Sequence, residues 1–213
     1  MTVPASPVKI INMALDQLKQ RSINTIDPAT TPEELLCERH YHHARRATLR
    51  MGVWNFAVSR VMLSRSLEVP EFDYTDKYLL PNDFVRLLSV GTNSTENIKK
   101  DYDIDGRHIL INNSGSPDLP VKYIRDVEDV TLWDDLFRDV MVLKLALELA
   151  YPITGSKVVV ERINSLLAAA IPDAVGVDGQ ERPPRRIQRS KYIDARVYGT
   201  REDNGGGYYT VLP

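Results

Sequence analysis

Hydrophobic residues recur every three or four positions between residues 131 and 151, as they do along one side of an α-helix. A second apolar group lies on the other side of this helix, and a surface helix needs only one such stripe. We therefore expect the helix to be covered from two directions, either by its own chain or by a neighbouring subunit. A break is predicted at Pro152, followed by a further helix over residues 156–170. The first stripe is Leu132, Trp133, Leu136, Val140, Leu143, Leu147 and Tyr151, and the second group, the candidate subunit interface, is Val142, Leu145 and Leu149.

Two more helices are predicted in the N-terminal part of the chain. The first covers residues 7–20, with Ser6 as its N-cap. The second begins at Thr31-Pro32-Glu33-Glu34, a capping box in which Thr31 caps the helix and Glu34 reaches back to the Thr31 amide. It should end near Met51, because Gly52 follows.

The pattern changes to an alternation of apolar and polar residues in the middle of the chain, which is typical of β-strands. Strands are predicted over residues 58–67, 85–90 and 119–125, while residues 70–77 are expected to form a loop. A hairpin is predicted over residues 102–112, because Asp105-Gly106 separates two apolar runs. This part should form one small antiparallel sheet of four or five strands.

These elements predict an α+β protein that is mainly α: an antiparallel helical bundle with an inserted small antiparallel β-sheet and an extended C-terminal tail. The N-terminal helices of the bundle occupy residues 1–57 and the β insertion residues 58–127. The long C-terminal helices occupy residues 128–172, and the tail residues 173–213. Pro172 is the expected boundary between the folded body and the tail.

Charge is unevenly distributed along the 213 residues. The net charge is −2, but residues 182–201 contain seven basic residues and one acidic residue, which gives +6. The other 193 residues therefore carry −8, so an acidic body precedes a basic tail. The single cysteine, Cys37, excludes an internal disulfide. We find no signal peptide and no apolar run long enough to cross a membrane.

The tail has three possible roles: an inert solvated end, a nucleic-acid-binding arm, or a strap that orders on a protein partner. We favour the strap, because tyrosines provide rigid contact area at low entropic cost and the body is acidic. The candidate docking residues of the tail are Arg182, Arg185, Arg186, Arg189, Tyr192, Arg196, Tyr198, Tyr208 and Tyr209.

Several groups of residues could carry chemistry, but each has a simpler structural interpretation. Cys37, His40, His42 and His43 could resemble a metal site, yet zinc ligands usually come from more than one element. Asp134, Asp135 and Asp139 could act as acids or bases, but carboxylates are also expected where a helix begins. The segment Thr154-Gly155-Ser156-Lys157 lacks the first glycine of a phosphate-binding loop. We therefore predict no catalytic residue, no metal and no cofactor.

The order of these segments resembles the head-to-tail adaptor proteins of short-tailed phages, the tail tubular protein A type. The resemblance covers roughly residues 9–170. It differs from the family in that Leu18-Lys19 stands where the first helix commonly ends in Leu-Gly. The segments that carry it are Trp54-Asn55-Phe56-Ala57, Leu80-Pro81-Asn82-Asp83, the 102–111 hairpin, Val121-Lys122-Tyr123-Ile124 and Leu145-Ala146-Leu147-Glu148-Leu149-Ala150.

The resemblance implies a non-enzymatic structural protein of the virion tail, present in the host cytoplasm during assembly. Such adaptors form a ring, usually of twelve copies, between the portal protein and the tail nozzle protein. Double-stranded DNA passes through the ring without specific binding, and no membrane is involved. Two rival functions are a peptidoglycan hydrolase, with Glu128, Asp134 and Asp135 as the nearest acids, and a nucleic-acid-binding module that uses the basic tail.

Overall fold

The computed structural model describes residues 6–91 and 101–181. Over these residues the chain is an α+β protein with four α-helices, six strands and two short 3-10 turns. The turns lie at Asn55–Ala57 and Val130–Leu132. The helices are α1 (Pro7–Gln17), α2 (Pro32–Met51), α3 (Asp135–Thr154) and α4 (Lys157–Gln180), and the strands are β1 (Val58–Ser64), β2 (Asp76–Leu79), β3 (Phe84–Val90), β4 (Tyr102–Asp105), β5 (His108–Ile111) and β6 (Asp118–Arg125).

Helix α1 begins as predicted, because the Ser6 hydroxyl accepts a hydrogen bond from the Lys9 amide at 3.2 Å. It ends at Gln17, three residues before the predicted end. Lys19 adopts a left-handed conformation with φ of 57°, and the Gln20 amide donates to the Leu15 carbonyl at 3.0 Å. This is the helix ending usually built on glycine. The lysine therefore occupies the position and conformation that a Leu-Gly ending would give to glycine.

The capping box at the start of α2 is confirmed. The Thr31 hydroxyl accepts from the Glu34 amide at 3.2 Å, and the Glu34 carboxylate accepts from the Thr30 and Thr31 amides at 2.9 and 3.1 Å. Hydrogen bonds from the Thr30 and Thr31 backbone lower the pKa of Glu34 to about 2. The helix ends at Met51, followed by Gly52 as predicted.

Helix α3 begins four residues later than predicted. Residues 130–132 form a 3-10 turn, and the Asp134 carboxylate then caps α3 by accepting from the Leu136 amide at 2.8 Å. The break predicted at Pro152 is wrong, because α3 continues through this residue. The proline removes the backbone hydrogen bond to the Glu148 carbonyl, but only two helical residues follow it. The helix ends at Thr154, and Gly155 follows it with a φ of 62°.

Helix α4 extends ten residues beyond its predicted end and passes through Pro172. Tertiary contacts hold these additional turns: Val175 packs against Gly52, and the Asp178 carboxylate accepts from the Asn55 amide at 2.9 Å. The predicted boundary between body and tail at Pro172 is therefore wrong. Residues 173–180 belong to a helix of the folded body.

The six strands form two antiparallel three-stranded sheets rather than one sheet. The first has the strand order β1-β6-β3 and the second β2-β5-β4. Strand β2 lies partly in a segment that was predicted to be a loop, and it forms one edge of the second sheet. The hairpin between β4 and β5 is confirmed, with Gly106 in its turn at φ of 57°. An isolated bridge between Arg65 and Tyr78 connects the end of β1 to β2.

The first sheet lies between the helices and the second sheet. On β6, Ile124 belongs to the hydrophobic core of the helices. Val121 and Tyr123, on the alternate positions, belong to a smaller core shared with the second sheet. The second sheet is therefore separated from the helices by a complete layer.

Helix α3 is the centre of the larger core and packs against α1, α2 and α4. Phe137 near its start makes edge-to-face contacts with Trp54, Phe56 and Trp133 at ring-centroid distances of 5.0, 4.9 and 5.1 Å. The burial of the predicted first stripe differs from the prediction. Leu132, which lies in the turn before α3, and Tyr151 near the end of α3 are both exposed. The group formed by Val142, Leu145 and Leu149 is instead buried by its own chain.

Candidate functional site

The most exposed apolar surface of the described residues lies on the outer side of the second sheet. Residues 67–74 cross this face and enclose a hollow of about 790 Å³, which we call the outer hollow. Val69, Phe72 and Leu110 give it an apolar lining. Leu67 beside it is fully exposed, and Phe72 is 75% exposed. Large apolar side chains in such positions are a feature of protein-docking surfaces.

The buried carboxylate of Asp76 holds the base of this loop. It accepts hydrogen bonds from the Thr75 hydroxyl at 2.8 Å and from the Asn113 and Gly115 amides at 3.0 and 3.2 Å. The Arg65 guanidinium pairs with its other oxygen at 3.1 Å. Burial opposes ionisation, but these contacts outweigh it and lower the pKa of Asp76. The loop is therefore anchored at both ends to the turn after β5.

The rim of the outer hollow is acidic. Lys77 is the only basic residue among the described residues of its lining, and its ammonium is paired with Glu68 at 2.8 Å. Tyr74 ties the loop to β4 by donating to the Asp103 carboxylate at 3.0 Å. Desolvation and this carboxylate raise the pKa of Tyr74. The hollow therefore suits a partner segment with apolar and basic side chains. Its acidic residues are Glu68, Glu71, Asp73, Asp103 and Asp105.

The predicted docking residues of the tail lie outside the described residues. They are Arg182, Arg185, Arg186, Arg189, Tyr192, Arg196, Tyr198, Tyr208 and Tyr209.

The candidate subunit interface on α3 is corrected by the structure. Leu145 and Leu149 are fully buried and Val142 is nearly so, all within the core of one chain. Helices α1, α2 and α4 together surround α3, so its second apolar side is covered without another copy. Leu145 and Leu149 are therefore unavailable to a contact between subunits, and Val142 keeps only 4% of its surface exposed.

The possible metal-binding residues of α2 point in different directions. Cys37 is buried in the core, and its burial raises the pKa of the thiol to about 11. His40 and His43 instead approach Glu148 of α3, at 3.4 and 3.2 Å from its carboxylate oxygens. Within residues 6–91 and 101–181, no group of three or more His, Cys, Asp or Glu side chains has an arrangement that could hold a metal ion.

The acids proposed for a hydrolase take part in structural contacts. Asp134 caps α3, Asp135 pairs with Arg138, and Glu128 pairs with Arg45 at 2.8 Å. Asp139 is exposed beside a groove that is described below. Thr154, from the segment that was compared with a phosphate-binding loop, also has a structural contact, since its hydroxyl donates to the Ala150 carbonyl at 2.6 Å at the end of α3.

An arginine cluster that the sequence did not predict joins α2 to the segment after β6. The buried Arg45 binds both oxygens of Asp126 at 2.9 and 3.0 Å, and Arg46 binds the same carboxylate at 3.0 Å. The sequence of α2 does not indicate this cluster, because the acidic partners lie about eighty residues away in the chain. The cluster fixes the helices relative to the first sheet.

Comparison of the chain with protein families and with characterised proteins finds no match. Among the described residues, no helix has the length and apolar character needed to cross a membrane.

Proposed function

We propose that this chain is a structural protein of the phage virion, without enzymatic activity. It would act as a head-to-tail adaptor that forms a ring between the portal protein and the tail nozzle protein. In this role the four helices make an antiparallel bundle on the portal side, and the tail, residues 182–213, docks on the portal. The protein would assemble in the host cytoplasm and remain in the virion tail.

The outer hollow carries this proposal. It presents Leu67, Val69 and Phe72 to solvent on the side of the second sheet that is remote from the helices. Exposed apolar side chains of this kind mark interaction surfaces, and a protein that connects two partners needs a docking surface at each end. The nozzle protein is the partner that we assign to the hollow.

The distribution of charge is consistent with the same function. The 193 residues outside 182–201 carry a net charge of −8. Duplex DNA is densely negative, and a basic channel would retain it through phosphate contacts. An acidic body therefore suits a ring through which DNA must slide.

The proposal is tested by measuring the mass of the protein alone, with its cognate portal, and with portal and nozzle together. We expect a ring on the portal, and we expect a chain truncated after Glu181 to lose portal binding. Phe72→Ser should keep portal binding and reduce nozzle binding at least about tenfold, as expected for an apolar anchor. Leu132→Ser is the matched control, because Leu132 is also exposed but lies on the helical side.

Failure of the intact chain to bind the portal would refute the adaptor function. Equal loss of nozzle binding in Phe72→Ser and Leu132→Ser would refute the assignment of the outer hollow.

A further inference from the structure

Helices α1, α3 and α4 form an open groove of about 630 Å³ along the side of α3 that faces away from α2. Val142 lies at its floor, and the partly exposed side chains of Met13 and Leu166 form its edges. Within the part of the chain that the structure describes, every charged residue of its lining is a carboxylate: Asp16, Asp139 and Asp173. Arg162 lies beyond one end, and its guanidinium donates to the Gln17 carbonyl at 2.7 Å.

The outer side of α2 has the complementary chemistry. Leu35, Arg39, His42 and Arg46 follow one another at spacings of three and four residues, and all four are exposed. Arg39 and His42 provide the basic groups of this row, because the Arg46 guanidinium is bound to Asp126 and to the Phe84 carbonyl of its own chain. Glu38 is the only carboxylate between residues 35 and 46. This outer stripe therefore presents an apolar side chain together with basic groups, in a row that matches an apolar groove with an acidic rim.

The groove and the outer stripe point in opposite directions. On α3, Met141 and Glu148 face α2, since they contact Thr48 and His43. Asp139, Val142 and Leu143 face the groove instead. With 3.6 residues per turn, the two sets lie about 180° apart around α3.

We propose that the outer stripe of α2 in one copy of the chain lies in the groove of the next copy. Two complementary surfaces on opposite sides of a subunit give a head-to-tail contact, and repetition of that contact closes into a ring when the rotation allows it. The inference rests on the proposed ring-forming function and adds to it the two faces that meet. Val142, Leu145 and Leu149 remain in the core of each copy.

Engineered cysteines test this contact in the assembled ring. His42→Cys places a thiol on the outer stripe, and Ala169→Cys places one in the groove; both positions are exposed. The native Cys37 is buried, so the unmodified chain serves as the control for background reaction. After mild oxidation on the portal, the double variant should give a ladder of covalent multimers on a non-reducing gel.

The single variants define the geometry. Neither should form multimers alone, and a mixture of the two should give dimers without a ladder, because each copy then carries one reactive face. Asp139→Lys in the double variant should reduce the ladder about two- to fivefold, the effect expected for a surface charge contact. Circular dichroism confirms that each variant is folded.

The outcomes separate this inference from the adaptor function. A ring of full mass on the portal without a ladder from the double variant would overturn the assignment of the two faces and leave the adaptor function intact. Dimers from His42→Cys alone would also overturn it, since they indicate a symmetric contact. Absence of both ring and portal binding would refute the two proposals together.

Discussion

Removal of the Arg45 guanidinium is the most informative change to the stability of the body. The Arg45 side chain is 4% exposed and the Asp126 side chain 9% exposed, and two hydrogen bonds join them at 2.9 and 3.0 Å. Arg45→Met keeps the apolar stem and removes the charge. Asp126 then stays buried with Arg46 as its remaining cation.

The expected loss in the free energy of unfolding arises because the Asp126 carboxylate stays buried after its main cationic partner is removed. Removing one partner of a buried ion pair destabilises a protein by about 3–5 kcal/mol. Arg46 still neutralises part of Asp126, and Glu128 is largely exposed and loses little, so we expect the lower end, about 3 kcal/mol. For a chain of this size that corresponds to a fall in melting temperature of about 6–12 °C.

Urea unfolding followed by circular dichroism measures this cost. The double variant Arg45→Met with Asp126→Asn should recover about half of the lost free energy of unfolding, because the buried charge is removed as well. Arg39→Met is the control on the same helix and should change it by less than about 0.5 kcal/mol, since Arg39 is exposed. A loss below about 1 kcal/mol in Arg45→Met, or no recovery in the double variant, would refute the argument.

Four further changes test local features of the fold. Tyr41→Phe should raise the free energy of unfolding by about 1 kcal/mol in urea titrations, because the buried Tyr41 hydroxyl has no hydrogen-bond partner among the described residues. Lys19→Gly should raise it by about 0.5–1 kcal/mol in the same assay, because glycine adopts a positive φ without strain. Glu34 has a lowered folded-state pKa, so its stabilisation is complete above about pH 4.5 and is lost as the pH falls towards 2; Glu34→Gln should flatten the melting temperature over that window. Asp178→Ala should abolish protection of the Asn55 amide in hydrogen exchange, whereas Asp173→Ala, at an exposed position of the same helix, should not.

Features set by a few neighbouring residues could be predicted from the sequence. The Thr31–Glu34 capping box needs only its own four residues, and the turn at Asp105-Gly106 needs only a positive φ flanked by apolar runs. Features set by distant residues could not be predicted from the sequence. Helix α4 passes Pro172 because Gly52 and Asn55, more than a hundred positions earlier, cover the following turns.

The candidate docking surface could not be predicted from the sequence for a similar reason. Residues 70–77 have the composition of a loop, and nothing local indicates that β2 begins at Asp76. Its register is fixed by β5 and by the buried Asp76 carboxylate, whose partners lie near residues 113–115. The exposure of Phe72 follows from this non-local anchoring, so periodicity could not have located it.

The contact between Asn55 and α4 determines how mechanical load would enter the protein. Tension applied to the chain at Glu181 reaches the folded body through the last turn of α4. There the Asn55 amide donates to Asp178, and the Asn55 side chain donates to the Asp178 carbonyl at 2.9 Å and to Glu181 at 3.2 Å. These bonds pass the force to the segment that leads directly into β1, which is paired along its whole length with β6. A pull on the C-terminal side would thus be shared with the first sheet, and α4 would not peel away from the body one turn at a time.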